Sequence, residues 1–442
     1  MHLQSARRSI KTSTGPYKAL YLAGGLSLRR ATRNRHSAFA QQTVAAHVHS
    51  STKVRNKNSS GSEIKTAALK KDSNALLTKI GLQRQPFTRF KITNSGISDI
   101  IPDLTKFEDI VSRSRLKILP LKLRELANQF VQINRLKSDI NVRMEQWRSE
   151  VLDAFDNNLS DITYAASLFG KISSNKTLGC ALYKVAAEEG YPNAAFYYAI
   201  IVGTGSIKIP NGSAVGWMII KELVKMGHPA SMVTLSDTKM RSSNPSDIKE
   251  GIRLLERAAE KDNRQACYKL GEIYRHGQGV PVDYNKAIEW HGKIKALGSS
   301  EGEFIIGDML SKGQGTSDGK PDYAAAFKRF EQAAMKGSVE SQFNLALYYL
   351  EGKGVVKDED LGIEFLKLAA DAKFPQAILT LSKLLIEGTA TPKNYKKARA
   401  LLDDATKYTD SAQVSANLAK ILRQKLDNVE KQEKEKSWCN FM

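Results

Sequence analysis

The sequence predicts an all-α protein, a right-handed α-solenoid of antiparallel helix pairs. Three recurrences predict it. A small-residue pair returns down the chain as Ala258–Ala259, Ala333–Ala334 and Ala369–Ala370. Twelve positions after each pair comes a second small or polar residue, Gly271, Ala346 or Ser382. Six positions further stands a glycine, Gly277, Gly352 or Gly388, that ends a helical pattern. A fixed period of this size marks a repeat architecture.

The front of the chain is different. Residues 1–62 hold 11 basic residues and no acidic one, with abundant Ser, Thr and Ala, the composition of a mitochondrial transit peptide and leader. A short apolar run, Ala19–Leu28, precedes Ala38-Phe39-Ala40, but Arg29, Arg30, Arg33 and Arg35 lie between them, where a secretory signal is neutral. Residues 63–135 read as an N-terminal helical and irregular region: Ala67–Ile80 fits a helix, and Gln85–Ile101, with Pro86 and Gly96, does not. After Pro120, the residues Leu123, Leu126, Phe130, Ile133, Leu136, Ile140, Met144, Trp147 and Val151 fall at three- and four-residue steps, one apolar helical face reaching about Phe155. Val151–Leu152 precedes Ala186–Ala187 by 35 positions, and Gly170 precedes Gly205 by 35, so 136–171 reads as a degenerate capping unit.

The repeat array spans 136–423 in about eight units, the terminal ones degenerate. The second pair member falls at 152, 187, 224, 259, 295, 334, 370 and 406, in steps of 35, 37, 35, 36, 39, 36 and 36. The longest step holds a polar loop, Thr316–Lys320. Residues 251–280 show the unit as helix, polar break at Lys261–Asn263, helix, glycine stop. Small side chains at a helix crossing permit axes near the low end of the ~8–10 Å range. Leu255, Tyr274, Phe330, Tyr349, Phe365 and Leu385 then fill the space between units, the stop glycine takes positive φ, and Asp283 and Asp322 cap the following helices. Residues 424–442 are a charged C-terminal tail without an apolar stripe, carrying Trp438 and Phe441 near its end.

The alanine pair, Leu270–Gly271, Tyr274, the Gly277-x-Gly279-Val280 ending and Asp283-Tyr284-x-x-Ala287 together resemble the Sel1-like repeat, a relative of the tetratricopeptide repeat. The resemblance covers roughly 180–420, most clearly 250–390. It implies stacked helix pairs and, as the family's general role, an adaptor in assembly and quality control.

A search for chemistry returns no catalytic residue, no cofactor site and no metal site. Gly277-Gln278-Gly279 and Gly352-Lys353-Gly354 match no phosphate-binding loop and sit in repeat register. The histidines His2, His36, His47, His49, His228, His276 and His291 form no ligand pair at helical spacing, and His228 and His276 read as exposed turn residues. No nucleophile elbow or distinct carboxylate pair is present. Cys180, Cys267 and Cys439 show no CxxC spacing, which suits a reducing compartment. No apolar run approaches the ~20 residues of a membrane span.

Of 67 basic and 46 acidic residues, 17 and 10 lie in 63–150 and 39 and 36 in 151–442, so the array is close to neutral. A nucleic-acid platform concentrates basic charge on its binding face. The expectation is therefore a non-enzymatic mitochondrial scaffold or adaptor that binds protein partners and takes no small-molecule substrate. Analogy with mitochondrial helical-repeat proteins suggests respiratory-chain biogenesis, with cytochrome c oxidase assembly foremost. Its partner would be an inner-membrane respiratory subunit or insertion machinery, met in the matrix or by peripheral association with the matrix face of the inner membrane. The alternative is an RNA- or mitoribosome-associated factor in mitochondrial gene expression, which the basic 63–150 segment favours. The partner-binding residues stay unassigned; Lys221, Arg253, Arg257 and Lys328 read as surface charges of the first helices.

Overall fold

Prolines and short polar side chains set where the helices begin. Pro192, Pro229, Pro245 and Pro375 each stand in a first turn, where the missing N–H costs nothing. Elsewhere a side-chain oxygen takes up a free helix N–H: Asn263 accepts from Ala266 N at 2.9 Å, Asp283 from Lys286 N at 2.9 Å, Asp322 from Ala325 N at 2.8 Å and Asp358 from Leu361 N at 3.0 Å. The computed structural model describes residues 111–439, apart from 112, 113, 115, 117, 119, 137, 173–175 and 409–412. The leader at 1–62, most of the 63–135 region and residues 440–442 lie outside the described residues.

Every regular element among the described residues is a helix. In order they are α1 (Pro120–Arg135), α2 (Ile140–Ala154), α3 (Leu159–Ile172), α4 (Thr177–Glu188), α5 (Pro192–Gly203), α6 (Gly212–Lys225), α7 (Pro229–Met240), α8 (Pro245–Ala259), α9 (Arg264–His276), α10 (Tyr284–Ala296), α11 (Glu301–Ser311), α12 (Tyr323–Met335), α13 (Val339–Glu351), α14 (Glu359–Asp371), α15 (Pro375–Glu387), α16 (Tyr395–Tyr408) and α17 (Gln413–Cys439). Each packs on its neighbours in sequence, so the fold is an all-helical repeat of paired helices. None of the described helices is long and apolar enough to cross a membrane.

The stop glycines behave as expected. Gly277, Gly352 and Gly388 take φ of 71°, 72° and 74°, and each N–H closes the preceding helix on a carbonyl four residues back. Gly170 does not belong with them: it lies inside α3, which runs on to Ile172.

The helix pairing differs in phase from the sequence expectation. The closest backbone approach is across the glycine stop, not across the polar break. A Cβ on Gly216 in α6 would lie 2.6 Å from the Ala199 carbonyl of α5, one on Gly179 in α4 would lie 2.8 Å from Ala166 O of α3, and one on Gly362 in α14 would lie 3.1 Å from Ala346 O of α13. One row of small residues therefore lines the first helices (Ala166, Ala199, Ser236, Gly271, Gly307, Ala346, Ser382) and a second row lines their partners (Gly179, Gly216, Gly251, Ala287, Ala326, Gly362, Ala398), all of them buried. The alanine pairs serve the other contact, from a second helix to the next first helix. There Gly302 of α11 abuts the backbone at His291 and Lys295, and its register mates Ala194, Ser231, Ala266, Ser341 and Ala377 are small and buried. Both contacts need short side chains because packed helix axes cannot close while a branched chain stands between them.

Two further differences concern the ends. The helical face read from Leu121 to about Phe155 is broken before Ile140, with Asp139 at φ 58°, and α1 folds back on α2. Phe130 and Trp147 meet at 5.2 Å, and Trp147 Nε1 donates to Leu126 O at 2.8 Å. Residues 120–135 thus pack with the array's first described pair. Trp147→Phe removes the Nε1 hydrogen bond to Leu126 O and leaves part of the buried indole's space unfilled, and a loss of about 1–3 kcal/mol in chemical denaturation is expected. At the other end, the charged run 424–437 continues α17, which packs on α15 and α16 through Ala419, Leu422 and Leu426. Its charges are paired with earlier helices: Arg399 lies 2.7 Å from Asp427 and 2.9 Å from Glu430, and Lys425 lies 2.7 Å from Glu387.

Candidate protein-docking surface

The first helices of the repeats stand side by side, tied by ion pairs between neighbours. Lys269 of α9 reaches back to Asp237 of α7 at 2.7 Å. Arg275 of α9 reaches forward to Asp308 of α11 at 2.7 Å and donates through Nε to Gln314 at 2.9 Å. Burial opposes ionisation of Asp308, but hydrogen bonds from Lys312 and Arg275 outweigh it and hold the carboxyl below the usual range.

Along this face runs a row of large side chains in constant register. Nine positions before the stop glycine stand Phe196 in α5, Tyr268 in α9, Phe304 in α11 and Phe343 in α13. Each is only partly covered; Tyr268 keeps 38% of its surface exposed. Val233 and Leu379 take the same register in α7 and α15 and are buried. The aromatic rings lean on side chains beneath them: Phe196 on His228 at 5.4 Å, Tyr268 on His291 at 6.0 Å, Phe304 on Phe330 at 6.0 Å and Phe343 on Phe374 at 5.4 Å. Rings held from below and open above lose little rotamer freedom on contact, which is what a binding surface needs. The spacing to the stop glycine is the sequence signal that marks this row.

The charges singled out from sequence lie elsewhere. Lys221, Arg253, Arg257 and Lys328 are exposed, but they belong to α6, α8 and α12, the second helices, because the repeat begins at the polar break.

His228 also departs from expectation. It is partly buried and caps α7: Nδ1 accepts from Ser231 N at 3.3 Å, and Nε2, 2.9 Å from Asn193 Oδ1 of α5, donates to it. Burial first, then the positive charge of Lys261, pushes its pKa down to about 4. The partner that buries it sits a full repeat upstream, out of reach of local reading. His276, with 52% of its side chain exposed, lies at the turn as expected. Cys180 and Cys267 are buried free thiols, and burial raises the Cys180 pKa to about 12. Among the described residues no group of three or more His, Cys, Asp and Glu side chains is placed to hold a metal ion.

The family model for the Sel1 repeat matches residues 158–191, 245–263, 264–299, 300–338, 339–374 and 375–405. The chain is a Sel1-repeat protein. The four boundaries between consecutive matches, at 263/264, 299/300, 338/339 and 374/375, fall at the polar breaks, in agreement with the helix pairing. The Sel1-repeat geometry also covers α5 to α7, which the family model leaves out: Ala199 and Gly216 hold the crossing there, while α7 ends at Arg241 without a stop glycine.

The Sel1-repeat chain is similar to three curated proteins. It is 26% identical over 249 residues to the chitin synthase regulator SKT5 of Saccharomyces cerevisiae, covering 53% of this chain and 35% of that one. It is 36% identical over 110 residues to the ERAD-associated E3 ubiquitin-protein ligase component HRD3B of Arabidopsis thaliana, covering 25% and 17%. It is 29% identical over 151 residues to cytochrome c oxidase assembly factor 7 of Xenopus tropicalis, covering 33% and 65%. The matched stretch thus spans less than two thirds of each relative's length. A crystal structure of a Sel1 repeat protein from Oxalobacter formigenes matches 41% of this chain and 74% of its own, at 21% identity and a TM-score of 0.36.

Proposed function

We propose that the protein is a non-enzymatic mitochondrial adaptor whose first-helix face binds protein partners during respiratory-chain assembly, with cytochrome c oxidase the foremost client. The observation that carries this is a conjunction. Residues 1–62 have the acid-free, arginine-rich composition of a mitochondrial leader, and they precede a Sel1 array, one of whose relatives is named cytochrome c oxidase assembly factor 7. The partly open aromatic row on the first helices supports recognition of a protein over a small molecule, since buried aromatic anchors dominate protein interfaces. The site of action is the matrix, or the matrix face of the inner membrane through a bound partner.

Proximity labelling from the full chain in mitochondria tests this. Inner-membrane respiratory subunits or their insertion machinery should be labelled and should stay bound after nuclease treatment. Tyr268→Ala/Phe343→Ala should lower their recovery about 10- to 30-fold, the scale of losing interface anchors, while circular dichroism still shows the helical fold. Labelling confined to ribosomal proteins, released by nuclease, would replace the adaptor with an RNA-associated factor.

A further inference from the structure

Register makes one repeat stand apart from the others. Four positions after the small residue of each second helix comes a buried core side chain: Tyr183, Ile220, Leu255, Phe330, Leu366 and Leu402. In α10 that position is His291, fully buried. The second member of the small pair is Ala187, Val224, Ala259, Ala334 or Ala370, but in α10 it is Lys295. Ten positions before the stop, the first helices carry Ala195, Met232, Cys267 and Ile378, with the amide Gln342 in α13; in α11 the residue is Glu303, its side chain 1% exposed.

Two of these exchanges, Lys295 and Glu303, meet between α10 and α11, while the His291 side chain faces α9 within its own pair. Lys295 Nζ lies 2.6 Å from Glu303 Oε1, and Arg329 Nη1 of α12 lies 3.1 Å from Oε2. The Gln332 amide, turned so that its nitrogen faces the carboxylate, donates to Oε1 at 2.8 Å. One turn away, His291 Nε2 is 3.4 Å from Glu272 Oε1 of α9, and neither ring nitrogen makes a hydrogen bond of ordinary geometry. Gly271 is obligatory beneath it, since a Cβ there would fall 2.4 Å from the imidazole. The apolar packing that joins α10 to α11 is small: Ala287, Ile305 and Met309 form a cluster of their own, apart from the one that runs from Val224 to Ile294.

Buried charges hold an interface less firmly than apolar side chains of similar volume, because their desolvation offsets their attraction. In a repeat array each interface contributes nearly independently, so the least favourable one opens first. We propose that the junction of α9–α10 with α11–α12 is a hinge of the array. It opens ahead of the other described interfaces and lets the first helices on its two sides change their mutual angle as a partner lies along them. Only the fold and the register are needed for this, not the partner's identity.

Hydrogen exchange read by mass spectrometry on the full chain tests the hinge. Amides of α10 and α11 should exchange at least about 10-fold faster than those of α5, α6, α13 and α14. The variant His291→Leu/Lys295→Ala/Glu303→Met borrows its residues from the same register in other repeats. It should slow exchange in α10 and α11 by about 10-fold and leave α5 and α6 unchanged. Equal protection across the wild-type array would overturn the proposal, and so would a folded variant with unaltered exchange at α10 and α11. Should the variant fail to fold, the wild-type exchange map decides alone.

Discussion

Gly216→Val is expected to destabilise the protein by about 3 kcal/mol, the upper part of the range for overpacking a close contact. The first added carbon would sit 2.6 Å from Ala199 O and 2.8 Å from Gly203 Cα, both backbone atoms of a packed helix. Neither can swing aside as a flexible side chain would, so α5 and α6 must move apart and forfeit contacts along their length. The control is Gly292→Ala in α10, where a Cβ would meet nothing within 4 Å. With helix propensity alone at work there, a gain of about 0.5–1 kcal/mol is expected. Urea unfolding followed by circular dichroism measures both. A Gly216→Val protein as stable as wild type would show that the two helices are not held at this crossing.

Acid should weaken the fold before its carboxylates are protonated. His228 and His291 both have folded pKa values pushed down to about 4, chiefly by burial, from an ordinary 6.5. Each is neutral in the native protein at pH 5, whereas the unfolded chain has already taken up the proton. Their contribution is therefore complete above about pH 6.5 and is lost as the pH falls towards 4, up to roughly 3 kcal/mol apiece. Glu272 works against the shift at His291, since its charge favours the imidazolium. Asp308, held below the usual carboxylate range, loses its contribution only at lower pH. His228→Asn keeps a capping side chain, as Asn263 does for α9, and removes one titrating group. That variant should lose markedly less stability than wild type between pH 7 and 4.5. His228 or His291 imidazole resonances, assigned by substitution, that titrate near pH 6.5 in the folded protein would refute the assignment.

Much of this fold is legible in one sequence because its cause is local and repeated. Gly277, Gly352 and Gly388 were identifiable as stops since a helix reversal favours positive φ, and Asp283 and Asp322 as caps since a free N–H needs an acceptor. The phase of the pairing was not legible. Both the alanine pairs and the Gly271 series are small, and periodicity cannot say which partner each one faces. The aromatic row Phe196, Tyr268, Phe304 and Phe343 escaped for a related reason: a large residue at helical spacing reads as core until its upper edge is found uncovered.

By itself the sequence determined that this chain is helical, that it repeats every 35 to 39 residues, and where the helices closed by Gly277, Gly352 and Gly388 end, because those features depend on neighbours within a turn or two. Only the tertiary structure decided which helix lies closest to which, that His228 is covered by Asn193 a repeat away, and that Lys295 and Glu303 meet between α10 and α11. Those facts depend on distances between residues far apart in the chain, set when helix axes close to within reach of small side chains.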